Sequence, residues 1–211
     1  GGYEQPSYLI AAIICKLTGK KYILLFDGIQ PQKIGTKGNI IKECIIKFIV
    51  NNAAAIFGNG ETSKLYFSKN YGYDIKRIYN QYLTIDTEQI DELYNNRLQI
   101  KLKMKDKYNI DNDKKILMYV GRLLDWKNIN VIFEAISKLK NKNDYVLFIV
   151  GDGPERDNLI QLQKSLDVNT VFTGNIAKSS DVYEYYFLAD LFIFPTSGEA
   201  WGLVVNEALA S

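Results

Sequence analysis

Histidine is absent from this 211-residue sequence, and cysteine, methionine and proline are scarce. Without histidine, the chain holds neither a Ser-His-Asp nor a Cys-His catalytic centre. Cys15 and Cys44 are its only thiol ligands, so a zinc site is not predicted. Because the two cysteines lack the spacing of a disulfide framework, we expect reduced, buried thiols in a cytosolic protein.

A long apolar run and a strong charge of one sign are also missing. The apolar run over residues 8–15 is short for a membrane span and ends at Lys16, so neither a signal peptide nor a transmembrane helix is predicted. The formal net charge of +2 is too small to indicate a nucleic-acid partner. With 47% apolar and 24% charged residues, the composition is typical of a globular protein with one large or two small domains.

Apolar strands alternate with helices from residue 114 onward. Residues 116–120 and 145–150 are continuous apolar runs, as in strands covered on both faces, and further strands are predicted at 170–173 and 191–194. Pro154 suits the first position of one connecting helix, and Ser179, Ser180 and Asp181 suit the cap of the next. The alternation with short connections predicts a parallel α/β sheet.

The first part of the chain repeats this alternation less regularly. Strands are predicted at 22–26, 53–57 and 75–79, among helices at 6–17, 39–50 and 62–70. Residues 80–87 show no firm period and are the predicted interdomain hinge. A lysine-rich helix over 88–107 leads into the second domain, so we expect two domains, 1–84 and 85–211.

Two cations follow the first strand of the second domain. Gly121 allows a tight turn there, and Arg122 and Lys127 come next. Ligands of open parallel sheets bind beyond the carboxyl ends of strands, and an arginine fork with a lysine charge suits a diphosphate. Two solvated loop cations are the alternative.

Two carboxylates flank the predicted start of the last helix. Gly202 and Leu203 would offer backbone N–H groups to a phosphate at the helix start. Glu207, inside the helix, suits two vicinal ribose hydroxyls, and Glu199, before it, suits a transferred hexose. The alternative is a helix-terminal charge at Glu199 and a surface residue at Glu207.

Three loops carry weaker signals. The Gly-Asp-Gly-Pro sequence at 151–154 lacks the features of a dinucleotide fingerprint or a P-loop and is interpreted as a turn. The backbone of Asn175 and Ile176 suits a nucleobase edge, although an ordinary loop fits equally well. Asp111 and Asp113 resemble a metal-binding pair, but they precede a strand and are expected at the opposite, amino edge of the sheet as a solvated turn.

The helix over 39–50 is largely apolar, and its charged residues form a narrow stripe. Packing in a core is favoured for it. The alternative is contact with an anionic membrane surface, with Lys33 and Lys37 contributing just before the helix.

Several of these motifs occur together in one order. They are Gly121-Arg122-Leu123 with Lys127-Asn128, Gly-Asp-Gly-Pro-Glu at 151–155, Val-Phe-Thr-Gly at 171–174, Ala-Asp-Leu-Phe-Ile-Phe-Pro at 189–195, and Glu199-x7-Glu207. In this arrangement the chain resembles the group-1 (family 4) retaining glycosyltransferases of the GT-B architecture. The resemblance is specific over 114–211 and weaker over 1–113.

The resemblance implies a fold and a domain identity. The fold would be α/β, with two Rossmann-like parallel-sheet domains of the GT-B type, both incomplete in this chain. Residues 1–84 would be the later part of an N-terminal acceptor-side domain. Residues 85–211 would be the first part of a C-terminal domain for the nucleotide-sugar donor.

The resemblance also implies residue roles. The catalytic residues would be Arg122 and Lys127, which hold the donor diphosphate and stabilise the leaving group, and Glu199, which binds the transferred sugar. The substrate-binding residues would be Gly121, Asn175, Ile176, Gly202, Leu203 and Glu207, with Glu207 on the ribose and the backbone of Asn175 and Ile176 facing the base. Neither a metal nor a cofactor is expected.

The implied activity is sugar transfer, with retention, from a nucleotide-diphosphate donor to a glycan or lipid-linked acceptor in cell-surface polysaccharide assembly. A cytoplasmic location is expected, with peripheral contact at the inner face of the membrane and no nucleic-acid partner. The chain begins at Gly1 and lacks a glycine-rich donor loop, so we expect a fragment cut at both ends and inactive alone. A sugar-nucleotide 2-epimerase and a catalytically silent nucleotide-binding module stay open as alternatives.

Overall fold

The computed structural model describes residues 5–29, 33–36, 38–199 and 201–211, and of Ser179 it describes the backbone alone. The chain divides into two compact units. The N-terminal unit comprises the described residues up to Leu83 together with Glu199 and Trp201, and the C-terminal unit comprises the rest. The first unit ends inside the segment 80–87 where the sequence places a hinge, while the acceptor and donor assignments stay predictions.

Three parallel strands in the order β1-β2-β3 form the sheet of the N-terminal unit. Its elements are α1 Pro6–Leu17, β1 Ile23–Phe26, α2 Ile40–Asn52, β2 Ala55–Gly58, α3 Gly60–Tyr71 and β3 Ile78–Asn80. Asn39 caps α2 because its side chain accepts the backbone N–H groups of Ile41 and Lys42. Where the sequence predicted a strand over 75–79, a 3₁₀ turn at Ile75–Arg77 precedes β3, because the Asp74 side chain accepts the N–H of Lys76 and starts a turn.

Four parallel strands in the order β6-β5-β4-β7 form the sheet of the C-terminal unit. Its elements are α4 Thr87–Tyr94, α5 Arg97–Lys107, β4 Lys115–Val120, α6 Asn130–Ser137, β5 Tyr145–Val150, α7 Arg156–Leu166, β6 Thr170–Gly174, α8 Ser179–Leu188, β7 Leu191–Phe192 and α9 Leu203–Ala210. Strand β7 is shorter than predicted, although Ile193 N still donates to Met118 O at 2.8 Å.

The sheet of the C-terminal unit is covered on both faces, as its apolar strands predict. Leu117 and Tyr119 of β4 pack into a core with residues of α6 and α7. The intervening Met118 and Val120 pack into a second core with residues of α5 and α8. Alternate residues of one strand therefore serve opposite layers, which is why the strand carries no polar face.

The structure corrects the single helix predicted over 88–107. Helix α4 ends at Tyr94 and α5 begins at Arg97, with Asn95 and Asn96 between them. Asparagine has a low helix propensity because its side chain competes for nearby backbone groups. The lysine-rich pattern hid this break.

Two predicted helix starts are also wrong. Helix α7 begins at Arg156 after the N-cap Glu155, so Pro154 lies in the turn before the helix. Helix α8 begins at Ser179 with Lys178 as the N-cap, and no side-chain hydrogen bond from Lys178 caps it. Ser180 and Asp181 lie inside the helix, after the N-cap position, so neither is the cap that the sequence predicted.

The expected burial of the cysteines is wrong for Cys44, which is exposed, while Cys15 is half-buried and both are free. Helix α2 buries Ile46 and Ile49. Cys44, two positions before Ile46, is rotated from it by roughly 200° around the helix and therefore lies on the opposite, exposed face. Ile40 stays 81% exposed, so α2 is only partly a core helix. Lys37 lies outside the described residues.

Candidate functional site

The strand order of the C-terminal unit contains a reversal beside β4. From β4 the chain adds β5 and then β6 on one side, and it returns to the other side of β4 to form β7. Parallel sheets bind ligands beyond the carboxyl ends of their strands at such a switch point. The segments that leave β4 and β7 therefore flank the expected crevice.

The segment that follows β4 is hydrogen-bonded to the end of β5. Gly121 has φ +146° and its N–H donates to Val150 O at 2.9 Å. The hydroxyl of Tyr119 donates to Arg122 O at 3.0 Å. Arg122 is exposed. The backbone that carries its guanidinium is thus fixed while the side chain faces solvent.

Lys127 lies in a different environment from Arg122. It ends a 3₁₀ turn at Asp125–Lys127 and is only 7% exposed. Its Nζ lies 4.3 Å from the ring centroid of Trp126 and 5.0 Å from that of Phe194. Aromatic faces attract a cation, and the low polarity strengthens the interaction of its charge with an anion.

The segment that leaves β7 is tied to the same turn. Ser197 donates twice to Trp126 O, from N at 3.1 Å and from Oγ at 2.9 Å. Asn128 Nδ2 donates to Pro195 O at 3.3 Å. These bonds bring the residues that follow β4 and β7 together at one edge of the sheet.

The start of α9 follows this segment. Gly202 has φ +80° and is the N-cap, and Leu203 is the first helical residue. The first N–H groups of a helix have no partner inside it. Gly202 and Leu203 thus lie at the helix start, and their contact with a phosphate stays a prediction.

Glu207 lies one turn into α9 and is half-buried. Its Oε2 accepts a hydrogen bond from Tyr186 Oη at 2.8 Å, and the same hydroxyl lies 3.2 Å from Val204 O. Burial, together with the Glu207 carboxylate, raises the pKa of Tyr186 above its ordinary value. Tyr186 therefore stays a donor and orients the carboxylate.

Asn175 and Ile176 follow β6 at the same edge of the sheet. Gly174, with φ +72°, accepts from Gly151 N at 3.0 Å. Asn175 is exposed, whereas Ile176 packs against the core that β4 forms with α5 and α8. The two residues lie two strands away from β4, on the side opposite β7.

Glu199 is the one predicted catalytic residue that groups with the N-terminal unit. It is half-buried, and the C-terminal unit includes Gly198 just before it and resumes at Gly202. The convergence of Glu199 with Arg122 and Lys127 stays a prediction, because these residues belong to different units.

The sequence interpretation missed the packing role of the glycines at 151–154. A Cβ on Gly151 would lie 2.0 Å from Gly121 O, and one on Gly153 would lie 2.4 Å from Leu123 O. Leu123 N also donates to Asp152 O at 3.0 Å. Glycine is needed there so that the β5 loop can pack against the loop that carries Arg122. The Gly-x-Gly spacing was the available signal.

Asp111 and Asp113 precede β4 and therefore lie at the amino edge, opposite the candidate site, as predicted. The backbone nearby is held by buried Lys105, whose Nζ donates to Asn112 O at 2.8 Å and Lys114 O at 3.0 Å. Within the described ranges, no group of three or more histidine, cysteine, aspartate or glutamate side chains is placed to hold a metal. In those same ranges, no helix combines the length and apolarity needed to cross a membrane.

Comparison with solved structures shows the fold. The structure of Anabaena HepE in complex with UDP superposes with a TM-score of 0.76 and 16% identity, covering 96% of this chain and 54% of that one. WaaG, a glycosyltransferase involved in lipopolysaccharide biosynthesis, gives a TM-score of 0.71 and 20% identity over 96% of this chain and 60% of that one. The predicted fold class, with Rossmann-like parallel sheets of the GT-B type, is confirmed.

Comparison of sequences adds curated relatives. The N-acetyl-alpha-D-glucosaminyl L-malate synthase of Bacillus anthracis is 32% identical over 110 residues, which are 51% of this chain and 28% of that protein. A Campylobacter jejuni N-acetylgalactosaminyltransferase that acts on a diphospho-undecaprenol acceptor is 24% identical over 98% of this chain and 53% of its own length. The matches thus span between about a quarter and a half of these relatives.

A family model decides the assignment. The model described as "Glycosyl transferases group 1" matches residues 100–211, more than half of the chain and nearly all of the C-terminal unit. The matched range contains the pinned loop of Arg122, the buried Lys127 and the helix that carries Glu207. The chain belongs to the group-1 glycosyltransferases.

Proposed function

We propose that the protein transfers a sugar from a nucleotide-diphosphate donor to a glycan or lipid-linked acceptor, with retention of configuration. The observation that carries the proposal is the junction of the β4 and β7 segments, where Trp126 O accepts both bonds from Ser197. This junction places Lys127 beside the segment that leads to the start of α9.

The donor diphosphate is the group that this edge suits. Arg122 supplies a guanidinium fork that faces solvent, and Lys127 supplies a buried positive charge. The first turn of α9 supplies backbone N–H groups. Hydrogen bonds to charged groups contribute roughly 1.5–3 kcal/mol each. Two cations and a helix start can therefore stabilise the departing diphosphate, and we propose a reaction without a metal ion.

The rest of the donor is assigned along the same edge. Glu207, oriented by Tyr186, would accept the ribose hydroxyls, and the backbone at Asn175 and Ile176 would face the base. Glu199 would bind the hydroxyls of the transferred sugar.

We propose the following bond changes. The bond between the sugar C1 and the diphosphate oxygen breaks, and the acceptor oxygen bonds to C1 on the same face. The acceptor proton passes to the diphosphate, so no further reactant is needed. Arg122 and Lys127 act where the negative charge of the leaving group develops.

The relatives support the substrate classes. HepE structures hold UDP and UDP-glucose, and a relative from Streptococcus pneumoniae, 33% identical over 52% of this chain, is an alpha-monoglucosyldiacylglycerol synthase. The Campylobacter relative acts on a polyprenyl diphosphate. A role in glycolipid or cell-surface polysaccharide assembly at the cytoplasmic face of a membrane follows as part of the proposal.

The test measures donor binding first. Calorimetry of UDP with the 211-residue chain is compared among the wild type, Arg122→Ala, Lys127→Ala and the control Lys138→Ala. Each site variant should bind about tenfold or more weakly, since a charged hydrogen bond is lost. Lys138 is exposed at the end of α6, at the amino edge of the sheet, so its removal should change little. Unchanged binding in both site variants would contradict the proposal.

Transfer is then measured on the protein as it occurs in the cell, with a panel of nucleotide sugars and lipid or glycan acceptors. Donor incubated without acceptor should yield at most slow hydrolysis. Formation of an epimer would instead identify a 2-epimerase. Binding without transfer or hydrolysis across the panel would identify a silent nucleotide-binding module.

A further inference from the structure

Arg156 is a cation at the candidate edge to which the proposed function gives no role. It is the first residue of α7, just after the β5 loop. Its Nη1 lies 3.6 Å from the position that a Cβ on Gly174 would occupy, so the guanidinium lies near the last residue of β6. Its Cζ lies 5.9 Å from the ring centroid of Phe172.

The guanidinium is partly exposed, and it is weakly paired with protein groups. Its side chain is only 33% exposed, and its ion pair with Asp152 Oδ2 is long, at 3.9 Å. The other Asp152 oxygen accepts from Gly153 N at 2.8 Å. No hydrogen bond from the Arg156 side chain is formed within the parts of the chain that the structure describes. Because a guanidinium has five N–H donors and the described protein groups accept none of them, the fork can donate to an acceptor on a ligand at this edge.

The distance along the sheet decides which part of a donor reaches this arginine. The proposed diphosphate lies beyond β4 and β7, whereas Gly174 ends β6, two strands from β4. Two strand spacings amount to about 10 Å, which matches the reach from a diphosphate across a ribose to the base. The base therefore falls beside Asn175 and Arg156.

We propose that Arg156 is a specificity-determining residue whose guanidinium donates a hydrogen bond to a carbonyl oxygen of the donor nucleobase. The proposal rests on the proposed function and adds the chemical class of the base. Arginine has only donors, so it pairs with the carbonyl oxygens of uracil or guanine. Adenine has no carbonyl oxygen, and its ring-nitrogen acceptors lie beside an amino donor that would face the guanidinium. The position of its guanidinium over the Phe172 ring, near the end of β6, orients the fork for this choice.

The experiment compares UDP, GDP and ADP by calorimetry on the 211-residue chain. The wild type should bind UDP or GDP more tightly than ADP. Arg156→Ala should weaken binding of the preferred nucleotide about tenfold or more while changing ADP binding by less than about threefold. Arg156→Lys keeps the charge without the fork and should also lose selectivity. Lys164→Ala removes an exposed cation from the same helix and should leave all three affinities unchanged.

The opposite results separate this inference from the proposed function. Equal losses for all three nucleotides in Arg156→Ala, or no loss, would overturn the role in base choice even if Arg122→Ala abolishes binding. A wild type that prefers ADP would overturn it as well. If the wild type binds none of the three, the proposed function and this inference fail together. The thermal unfolding midpoints of Arg156→Ala and Arg156→Lys are compared with that of the wild type. If either variant keeps the wild-type midpoint, its loss of affinity comes from binding and not from unfolding.

Discussion

At the scale of single residues, close backbone approach matters as much as charge. Gly121 and Gly151 both have positive φ. A Cβ on Gly151 would clash with the backbone of Gly121. Lys127 was identified from the sequence as a cation, but its burial against Trp126 and Phe194 depends on the tertiary fold. The position of a charge can thus be predicted while its surroundings cannot.

Gly153→Ala tests this packing. The new Cβ would lie 2.4 Å from Leu123 O and 2.7 Å from Leu123 N, so the β4 and β5 loops must separate. We expect a loss of about 1–3 kcal/mol in the free energy of unfolding, by urea denaturation, and weaker UDP binding by calorimetry.

Gly72→Ala is the control for Gly153→Ala. Gly72 has φ +68° in the N-terminal unit with no neighbour within 4 Å of a Cβ, so the substitution strains the backbone without a clash. It should cost about 1–2 kcal/mol and leave UDP affinity unchanged. Wild-type UDP affinity in Gly153→Ala would mean that the loop contact does not shape the site.

At the scale of elements, the aspartate just before β7 forms hydrogen bonds with both α5 and β4. Asp190 Oδ1 accepts from Lys101 Nζ of α5 at 2.8 Å, and Oδ2 accepts from Ile116 N of β4 at 2.7 Å. Asp190 N also donates to Ile116 O at 2.8 Å, just before β7 begins. The strand β7 has only two residues, and the side chain of Asp190 helps to hold it beside β4.

The stability that Asp190 provides should depend on pH. Burial alone would raise the pKa of Asp190, but the hydrogen bonds from Lys101 and Ile116 N, with the lysine charges, bring it below its ordinary value. The folded state then binds fewer protons than the unfolded state, so the stabilisation is complete above the unfolded pKa of about 4 and is lost as pH falls through the folded pKa.

Asp190→Asn should accordingly lower the free energy of unfolding by about 1 kcal/mol at pH 7 and by much less near pH 2, in urea denaturation. The control is Asp167→Asn, because that carboxylate is 91% exposed in its pair with Lys142 and should contribute almost nothing at either pH. An Asp190→Asn effect of the same size at both pH values would argue against the charge contribution.

Sequence periodicity predicted element type better than element ends. The apolar runs of β4 and β5 fix them as strands buried on both faces, because no polar residue interrupts them. The break between α4 and α5 and the start of α7 escaped prediction, since capping and packing decide between neighbouring residues of similar propensity. The same limit hid the bond from Tyr186 to Glu207, which joins residues 21 positions apart.

At the scale of the whole molecule, the described N-terminal unit presents much apolar surface. Strand β1 lies at the end of its three-stranded sheet, and Leu25 and Ile23 on it are 66% and 54% exposed. Leu17, at the end of α1, is 81% exposed. Unpaired strand edges with apolar side chains favour association between chains.

Leu25→Lys should therefore reduce concentration-dependent association of the 211-residue chain, measured by sedimentation velocity. UDP affinity should be unchanged, because the proposed nucleotide contacts lie in the C-terminal unit. Leu65→Lys, at a position on α3 that is 40% exposed, is the control and should have a smaller effect. Equal association by the wild type and Leu25→Lys would exclude this edge as its cause.

The sequence by itself determined the alternation of strands and helices, the parallel sheets, and the ordered motifs that resemble the group-1 glycosyltransferases. These features follow from local periodicity and from motifs whose residues are close along the chain. Only the tertiary structure decided that Lys127 is buried against aromatic rings, that Tyr186 orients Glu207 and that Arg156 lies beside the end of β6. Those arrangements depend on contacts between distant segments, and it is strand order, rather than local propensity, that brings such segments together.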